Sequence, residues 1–259
     1  MEQIYPAFER GRIMKKELLW ALRDYSFSAL QLQYRDYPDG IISGCGIRTE
    51  EDVLWIMPGI IKCQDFIFLL ADQEKIKYAP TEKYVSLKFR LLETEVLPDY
   101  TRYITEFVLD EEVFRKQNEI EICRFQLKEG ARLRTEYKDF YDIQTEYDTV
   151  NLVDATWSAQ GENTLSKAVT DYFAQKVLEC GRAEDGDIRF AYLLLQNREA
   201  VRYEVLKDYI FRKTGVSKDE ITIKEAFRLL ERILEGIRHG MSIHSLGGKE
   251  NVHRMIIMD

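Results

Sequence analysis

The hydrophobic pattern changes its period along the chain. Between residues 40 and 128, six short segments are apolar or alternate apolar with polar residues, and turn residues separate many of them. The segments are GIISGCGI, DVLWIMPG, IIKCQDFIFLLA, KYVSLKFRLLETEV, YTRYITEFVL and EIEICRFQL. Several are rich in Ile, Val, Phe and Tyr, which is typical of β-strands. Beyond residue 163 the apolar residues recur every three or four positions, which predicts α-helices.

The clearest alternation lies in VSLKFRLLE. One set of positions is apolar, namely Val85, Leu87, Phe89 and Leu91. The other set is polar, namely Ser86, Lys88 and Arg90. A period of two predicts a strand with one buried face and one face in water. Six such segments together predict an antiparallel β-sandwich or a barrel-like domain.

A helix is predicted before the first strand. Within KKELLWALRDYSFSAL, four apolar residues lie on one helical face: Leu18, Leu19, Leu22 and Tyr25. The helix is expected near residues 14–25, after an extended entry that contains Pro6 and Gly11. YPDG at 37–40 then predicts a tight turn.

The second half predicts a small helical bundle over roughly residues 164–240. Its first helix is expected to be capped by Asn163 or Thr164, and one or two more helices are expected to end at Gly215. SKDE at 217–220 has the pattern of a capping box, which predicts a helix start at Ser217. The short apolar end, Met255 to Met258, is predicted to add a strand to a sheet or to a neighbour.

These elements predict an α+β fold, with an N-terminal antiparallel β-sandwich or barrel-like domain followed by a C-terminal helical bundle. Residues 134–150 are polar and tyrosine-rich, and we interpret them as a late strand or a loop. AQGEN at 159–163 is typical of a boundary. The predicted domains are 1–150, a short helix plus a β-rich unit, and 160–259, a helical unit with a short apolar tail.

Composition places the chain among globular proteins and argues against two classes of partner. Of 259 residues, 45% are hydrophobic and 32% charged, which allows a substantial core. The net charge of −8 disfavours broad binding to nucleic acid, because an acidic chain repels phosphate. No apolar run approaches the roughly 20 residues that span a bilayer, so no membrane span is predicted.

The four cysteines predict buried thiols in a reducing compartment. Cys45, Cys63, Cys123 and Cys180 are widely spaced, and none lies in a C-x-x-C motif. The start MEQIYPAFERGR has no apolar signal segment. A cytoplasmic location is therefore expected, with release in a particle by cell lysis as a further route.

No cofactor or metal is predicted. LGGKE at 246–250 lacks the upstream glycine and the Ser or Thr of a phosphate-binding loop, and GCG at 44–46 is a lone G-x-G within a strand run. The histidines are His239, His244 and His253, and they belong to no complete ligand set. We interpret them as exposed polar residues.

No catalytic residue is predicted either. The chain has no G-x-S-x-G, so no nucleophile elbow is indicated. Among many acidic pairs, Glu119 and Glu121 share one face of a predicted strand, as a glycoside hydrolase would need. An acidic chain produces such pairs freely, and a wet sheet face is the interpretation we prefer.

Five tyrosines lie in polar or turn-like segments: Tyr34, Tyr37, Tyr137, Tyr141 and Tyr147. Tyrosine offers a large contact area at a low entropy cost, so these residues are candidates for an interface or for stacking on sugars. For any single one of them, a partly buried structural role is the alternative.

One local pattern resembles tail and baseplate proteins of phages and related contractile injection systems. Residues 39–70 contain a glycine-flanked strand, Gly40-Ile41-Ile42-Ser43-Gly44, and then Leu54-Trp55-Ile56-Met57-Pro58-Gly59 leading into the next strand. A β front followed by a helical rear is similar, in order only, to the type VI secretion baseplate subunit that holds other components. The resemblance implies a structural subunit without catalytic residues.

The first functional hypothesis is therefore a non-enzymatic structural subunit of a phage-tail-like or secretion baseplate assembly. Its expected partners are other copies of itself and other assembly proteins. The alternative is a hydrolase acting on nucleic acid or carbohydrate, with a site between the two domains. A third is a regulatory module that binds a small ligand in the β domain.

Overall fold

The computed structural model describes residues 10, 13, 15–81, 83–144 and 148–240. The described residues run in the order helix, strands, helices, so the predicted α+β class is confirmed. Within these ranges the strands form three open sheets, and none closes into a barrel. Residues 241–259 lie outside the described part, and with them the predictions for His244, LGGKE, His253 and the apolar tail.

The N-terminal elements are one long helix and nine strands. Helix α1 is Lys16–Gln33. The strands are β1 Gly40–Gly44, β2 Ile47–Glu50, β3 Val53–Ile56, β4 Gly59–Cys63, β5 Phe66–Leu70, β6 Glu74–Lys77, β7 Val85–Val96, β8 Thr101–Asp110 and β9 Glu119–Phe125. Two of the six predicted segments are each divided in two by a turn, and the short polar β6 was not predicted.

The later elements are two 3-10 turns, Tyr141–Gln144 and Lys218–Glu220, two short strands and four helices. The strands are β10 Trp157–Ser158 and β11 Asn163–Thr164. The helices are α2 Lys167–Glu179, α3 Asp185–Gln196, α4 Tyr203–Thr214 and α5 Ile223–His239. Left-handed glycines end two of them, as predicted: Gly215 after α4 and Gly240 after α5.

The sheets connect distant parts of the chain. The five-stranded sheet has the order β11-β10-β1-β4-β5, so β1 pairs in parallel with β10, more than a hundred residues later. The other two have the orders β2-β3-β6 and β8-β7-β9. The five-stranded sheet packs on β8 through a stacked aromatic pair, Phe66 and Tyr103, with ring centroids 4.0 Å apart.

Two large apolar clusters form the core of the described residues. The first is formed mainly by the sheets and includes Leu54, Leu87 and Phe125. The second lies among the helices and includes Phe173 and Phe227. Leu152 packs against both clusters. The division at residues 150–160 stays a prediction.

The glycines of the G-I-I-S-G and P-G patterns allow a close approach of backbones. Gly44 and Gly59 face each other in the antiparallel β1–β4 pair. A Cβ added at Gly59 would lie 2.5 Å from Cys45 Sγ and 2.6 Å from the Ser43 carbonyl oxygen. Gly44 has φ +67, a conformation that favours glycine. The pattern is therefore explained by sterics within this sheet.

Three sequence predictions about local structure were wrong. The first helix extends to Gln33 rather than ending near Tyr25, because FSALQLQ contains no glycine or proline to stop it. Helix α2 begins after Ser166, while Asn163 and Thr164 form β11. Helix α5 is capped by Thr222, which accepts from the Glu225 N–H at 3.3 Å; Ser217 precedes only a short 3-10 turn.

The predicted wet face of VSLKFRLLE is also wrong. The apolar set is buried as expected, but Ser86 and Lys88 are fully buried too. The segment that follows β8 covers this face. Its carbonyl oxygens at Glu112 and Phe114 accept hydrogen bonds from Lys88 Nζ. The alternation therefore marks two buried faces of different polarity.

Among the helices of the described ranges, none combines the length and the apolar character needed to cross a membrane. This agrees with the sequence, in which no long apolar run occurs.

We expect Gly59→Ala to lower the free energy of unfolding by about 1–3 kcal/mol, because the added methyl group meets backbone that cannot move aside. Urea unfolding of the purified protein measures the change. Gly46→Ala is the matched control, because its added Cβ would have only Met57 Cγ nearby, at 3.9 Å. Equal losses in the two variants would contradict the steric explanation.

Candidate interaction surface

Helix α1 is attached to the protein at one end and leaves its apolar side chains in solvent. Across Lys16–Gln33, all of which is described, no side chain is buried. Six large apolar residues are exposed: Leu19, Trp20, Leu22, Tyr25, Phe27 and Leu32. Leu32 is 68% exposed and Tyr25 60%. Contiguous apolar surface of this kind is typical of sites that bind another protein.

A buried lysine holds the end of α1. Lys62, on β4, donates from Nζ to the carbonyl oxygens of Tyr34 at 3.2 Å, Arg35 at 3.2 Å and Tyr37 at 2.8 Å. These carbonyls immediately follow the last turn of the helix, where a cation also interacts favourably with the helix dipole. Lys62 is 5% exposed, and its ammonium group also lies 3.9 Å from a carboxylate oxygen of Asp65.

Two tyrosines connect the same turn to the helical half. Tyr34 Oη and Tyr37 Oη donate to the two carboxylate oxygens of Glu199, at 3.2 and 2.5 Å. Burial and the neighbouring carboxylate raise the pKa of both hydroxyls, so they stay protonated as donors. Tyr34 also packs with Ile42 and Ile67. These two tyrosines therefore have structural roles rather than forming an open interface.

A second exposed element is the tip of the β7–β8 hairpin. Strand β9 pairs with β7 only over Val85–Arg90, so beyond that point the hairpin is two-stranded. We call residues 92–101 the hairpin arm. Its exposed apolar side chains are Leu92, Val96, Leu97 and Tyr100. The arm therefore presents a second apolar surface.

The two candidate carboxylates, Glu119 and Glu121, are both buried in ion pairs. Glu119 accepts from Lys88 Nζ at 3.0 Å and from Arg90 Nε at 2.8 Å. Burial opposes its ionisation, but the hydrogen bonds from the Lys116 N–H and the two cations outweigh it and lower the pKa of Glu119. Glu119 is therefore an ionised structural carboxylate.

Glu121 is held by a different cation. Arg124 binds it with Nε and Nη2, at 2.8 and 2.9 Å. Burial raises the pKa of Glu121 against the effect of this arginine. Arg124 also approaches Asp154, which pairs with Lys224 of α5 at 3.0 Å. This chain of ion pairs joins the sheet to the helices.

Arginine side chains line two surface depressions of the described residues. The two, of about 440 and 510 Å³, share Arg48 and Thr49. Arg134, which lines the larger one, binds both Asp142 and Asp148 through two hydrogen bonds each. Its guanidinium is therefore used to hold the loop rather than presented to a ligand.

The remaining candidates are dispersed. Cys45, Cys63 and Cys123 are buried, as predicted, whereas Cys180 is half-buried; burial raises the pKa of Cys45 and Cys63 to about 12. Tyr137 donates to the Val150 carbonyl oxygen at 2.6 Å, and Tyr141 is exposed. His239 ends α5, and Tyr147 lies outside the described residues. Over the part that the structure describes, no cluster of potential metal ligands occurs.

Comparisons with known proteins give likenesses to solved structures. No protein-family model matches the chain, and no curated protein does. One similar structure is a chain of the type VI secretion system TssK-TssF-TssG baseplate subcomplex, with TM-score 0.37, 10% identity, 91% of this chain and 100% of that one covered. Another is the crystal structure of TssK, with TM-score 0.40, 8% identity, 93% of this chain and 70% of that one covered.

Both structures contain TssK, and one comes from a baseplate, the class of apparatus that the sequence pattern resembles. Likeness at these TM-scores supports no conclusion about this chain, so its function has to be inferred from its own residues.

Replacing Lys62 by methionine is expected to release the end of α1. Three carbonyl groups lose their donor, which we expect to cost about 1–3 kcal/mol of unfolding free energy. Amide hydrogen exchange over residues 30–38 should become faster, while exchange in α5 changes little. Lys75→Met, at an exposed position of β6, is the control. Unchanged exchange at 30–38 would show that Lys62 does not anchor the helix.

Lys88→Met is expected to destabilise the protein by about 3–5 kcal/mol at neutral pH, because Glu119 remains buried with one cation fewer. Glu119→Gln in the same chain should recover part of the loss. Since the pKa of Glu119 is lowered in the fold, the penalty should shrink as the pH falls through that lowered pKa. Urea unfolding at several pH values measures this.

The control for that series is Lys83→Met. Lys83 is exposed and pairs with Glu111 at 3.5 Å, so its loss should cost no more than about 1 kcal/mol. A Lys88→Met variant as stable as this control would refute the structural role of the buried pair.

Proposed function

We propose that this chain is a non-enzymatic structural subunit of a phage-tail-like or secretion baseplate assembly, built in the cytoplasm and acting through protein–protein interfaces. The observation that carries the proposal is the presence of two elements, α1 and the hairpin arm, that extend apolar side chains into solvent. Their uncovered apolar area favours burial against other proteins. The partners proposed are further copies of this chain and other subunits of the same assembly.

The use of charged residues supports the same function. Glu119, Glu121 and Arg134 each bind oppositely charged neighbours within the fold. A hydrolase with Glu119 and Glu121 as its acid and base would need both carboxylates at a cleft that admits substrate. Here both are buried and occupied, so this geometry does not favour the alternative.

The test is binding to purified components encoded beside the gene for this chain. We expect a complex with at least one tail, sheath or baseplate component, and a loss of affinity of about tenfold or more, some 1.4 kcal/mol, in a Leu92→Asp, Val96→Asp double variant of the arm. Lys83→Asp, an exposed position outside the arm that gives the same change in net charge, should bind like the wild type. Isothermal titration calorimetry measures the affinities.

A hydrolase screen tests the alternative that the chain is an enzyme. Turnover of an oligonucleotide or an oligosaccharide that disappears in Glu119→Gln or Glu121→Gln, in a protein that binds none of the neighbouring gene products, would overturn the proposal in favour of the enzyme.

A further inference from the structure

We propose that α1 is the surface through which two copies of this chain pair, helix against helix. The inference rests on the proposed function, of which it names one interface. Five residues of α1 follow each other at alternating spacings of four and three: Leu18, Leu22, Tyr25, Ala29 and Leu32. We call these five residues the seam. This spacing lets two helices pack their seams together along their whole length.

The seam points away from the contact that α1 makes with the rest of the protein. Leu30 is the α1 residue that packs against the cluster of Tyr34, Ile42 and Ile67. At 3.6 residues per turn, Leu30 lies about 120° around the helix from the middle of the seam. Phe27 and Trp20 lie on the side of Leu30, and Trp20 has the Lys16 ammonium over its ring at 5.2 Å. Leu22 and Leu32 of the seam are exposed, so this face can contact a second helix.

The charges of α1 favour a second copy as the occupant. The positions that flank the seam are uncharged: Leu19, Ala21, Ser26, Ser28 and Gln33. Charges at these positions set the choice of partner helix, and α1 carries none there that would exclude an identical copy. The four charged residues of α1, Lys16, Glu17, Arg23 and Asp24, sum to zero, in a chain whose net charge is −8. Two α1 helices can therefore approach each other without net charge repulsion, whereas the acidic remainder of two chains would repel.

The anchoring of α1 lowers the cost of pairing. Eighteen residues form a helix of about 27 Å, short for a coiled coil built from free chains. Lys62 and the Glu199 contacts already hold its C-terminal end in place. A preformed, tethered helix loses less entropy on association than a flexible segment.

A membrane surface fits α1 less well than a second helix. Helices that lie on membranes carry several Lys and Arg residues on the polar face. Between Leu18 and Gln33 the sole cation is Arg23, and it pairs with Asp24. Vesicle binding is accordingly an alternative outcome to be tested rather than the one expected.

The test compares solution mass by analytical ultracentrifugation over a range of concentrations. The wild type should form a dimer of the full chain, and a Leu22→Glu, Leu32→Glu double variant should weaken self-association at least tenfold. Because neither side chain is buried, the variant should keep the wild-type melting temperature. Gln31→Glu adds the same kind of charge on the face of α1 away from the seam, about 140° around the helix, and should leave the dimer intact.

Crosslinking locates the contact. In a Cys180→Ser background, Tyr25→Cys is expected to form a disulfide-linked dimer on mild oxidation, and Gln31→Cys is not. A wild type that is monomeric at all concentrations, a dimer unaffected by the double glutamate change, or a monomer that binds anionic phosphatidylserine vesicles through the seam would overturn the inference.

The pairing and the proposed function fail in different experiments. A monomeric chain that still binds assembly components through its hairpin arm refutes the pairing alone. A chain that dimerises through α1 but binds none of those components keeps the pairing and contradicts the baseplate proposal.

Discussion

The close approach of β1 to both of its neighbouring strands is the constraint on which the rest of the structure depends. On one side Gly44 faces Gly59 of β4, and on the other a Cβ at Gly40 would lie 2.8 Å from the Thr156 carbonyl oxygen. Because β1 lies between β4 and β10, these contacts hold the front of the chain against a segment far along the sequence. The helices therefore take their position relative to the sheets from a strand of five residues.

The same strands determine where α1 leaves the protein. Strand β4, set by Gly59, carries Lys62, and Lys62 binds the carbonyl oxygens that follow the helix. Two residues near β10 and β11 bind the same turn. Ser158 Oγ donates to the Pro38 carbonyl oxygen at 2.6 Å, and Asn163 Nδ2 donates to the Asp39 carbonyl oxygen at 2.9 Å. The turn after α1 is thus held from three directions, while the helix itself contacts little. A helix that is held at one end and exposed along its length is suited to binding another protein rather than to forming part of the core.

Local patterns predicted the order of elements because burial and turn chemistry act within a few residues. The alternation of Val85 to Leu91 and the glycines at 215 and 240 are signals of that kind. The errors came from long-range partners. Lys88 is buried because Glu119, thirty-one residues later, neutralises it, and no local pattern contains that information. Likewise, periodicity predicted the apolar face of α1 but not that its side chains stay exposed among the described residues. The interaction surface could therefore not be located from the sequence.

Buried ion pairs give this fold rigidity rather than chemistry. A charge removed from water is stable only when it is bound on most sides, and a group bound in that way is not available to a substrate. Lys88 illustrates the point, since two carboxylates and two carbonyl oxygens occupy its ammonium group. The fold therefore uses its strongest polar groups to fix loops and to join the sheets to the helices. What it leaves available are apolar side chains on two projecting elements, and apolar side chains in water gain free energy by contact with another protein.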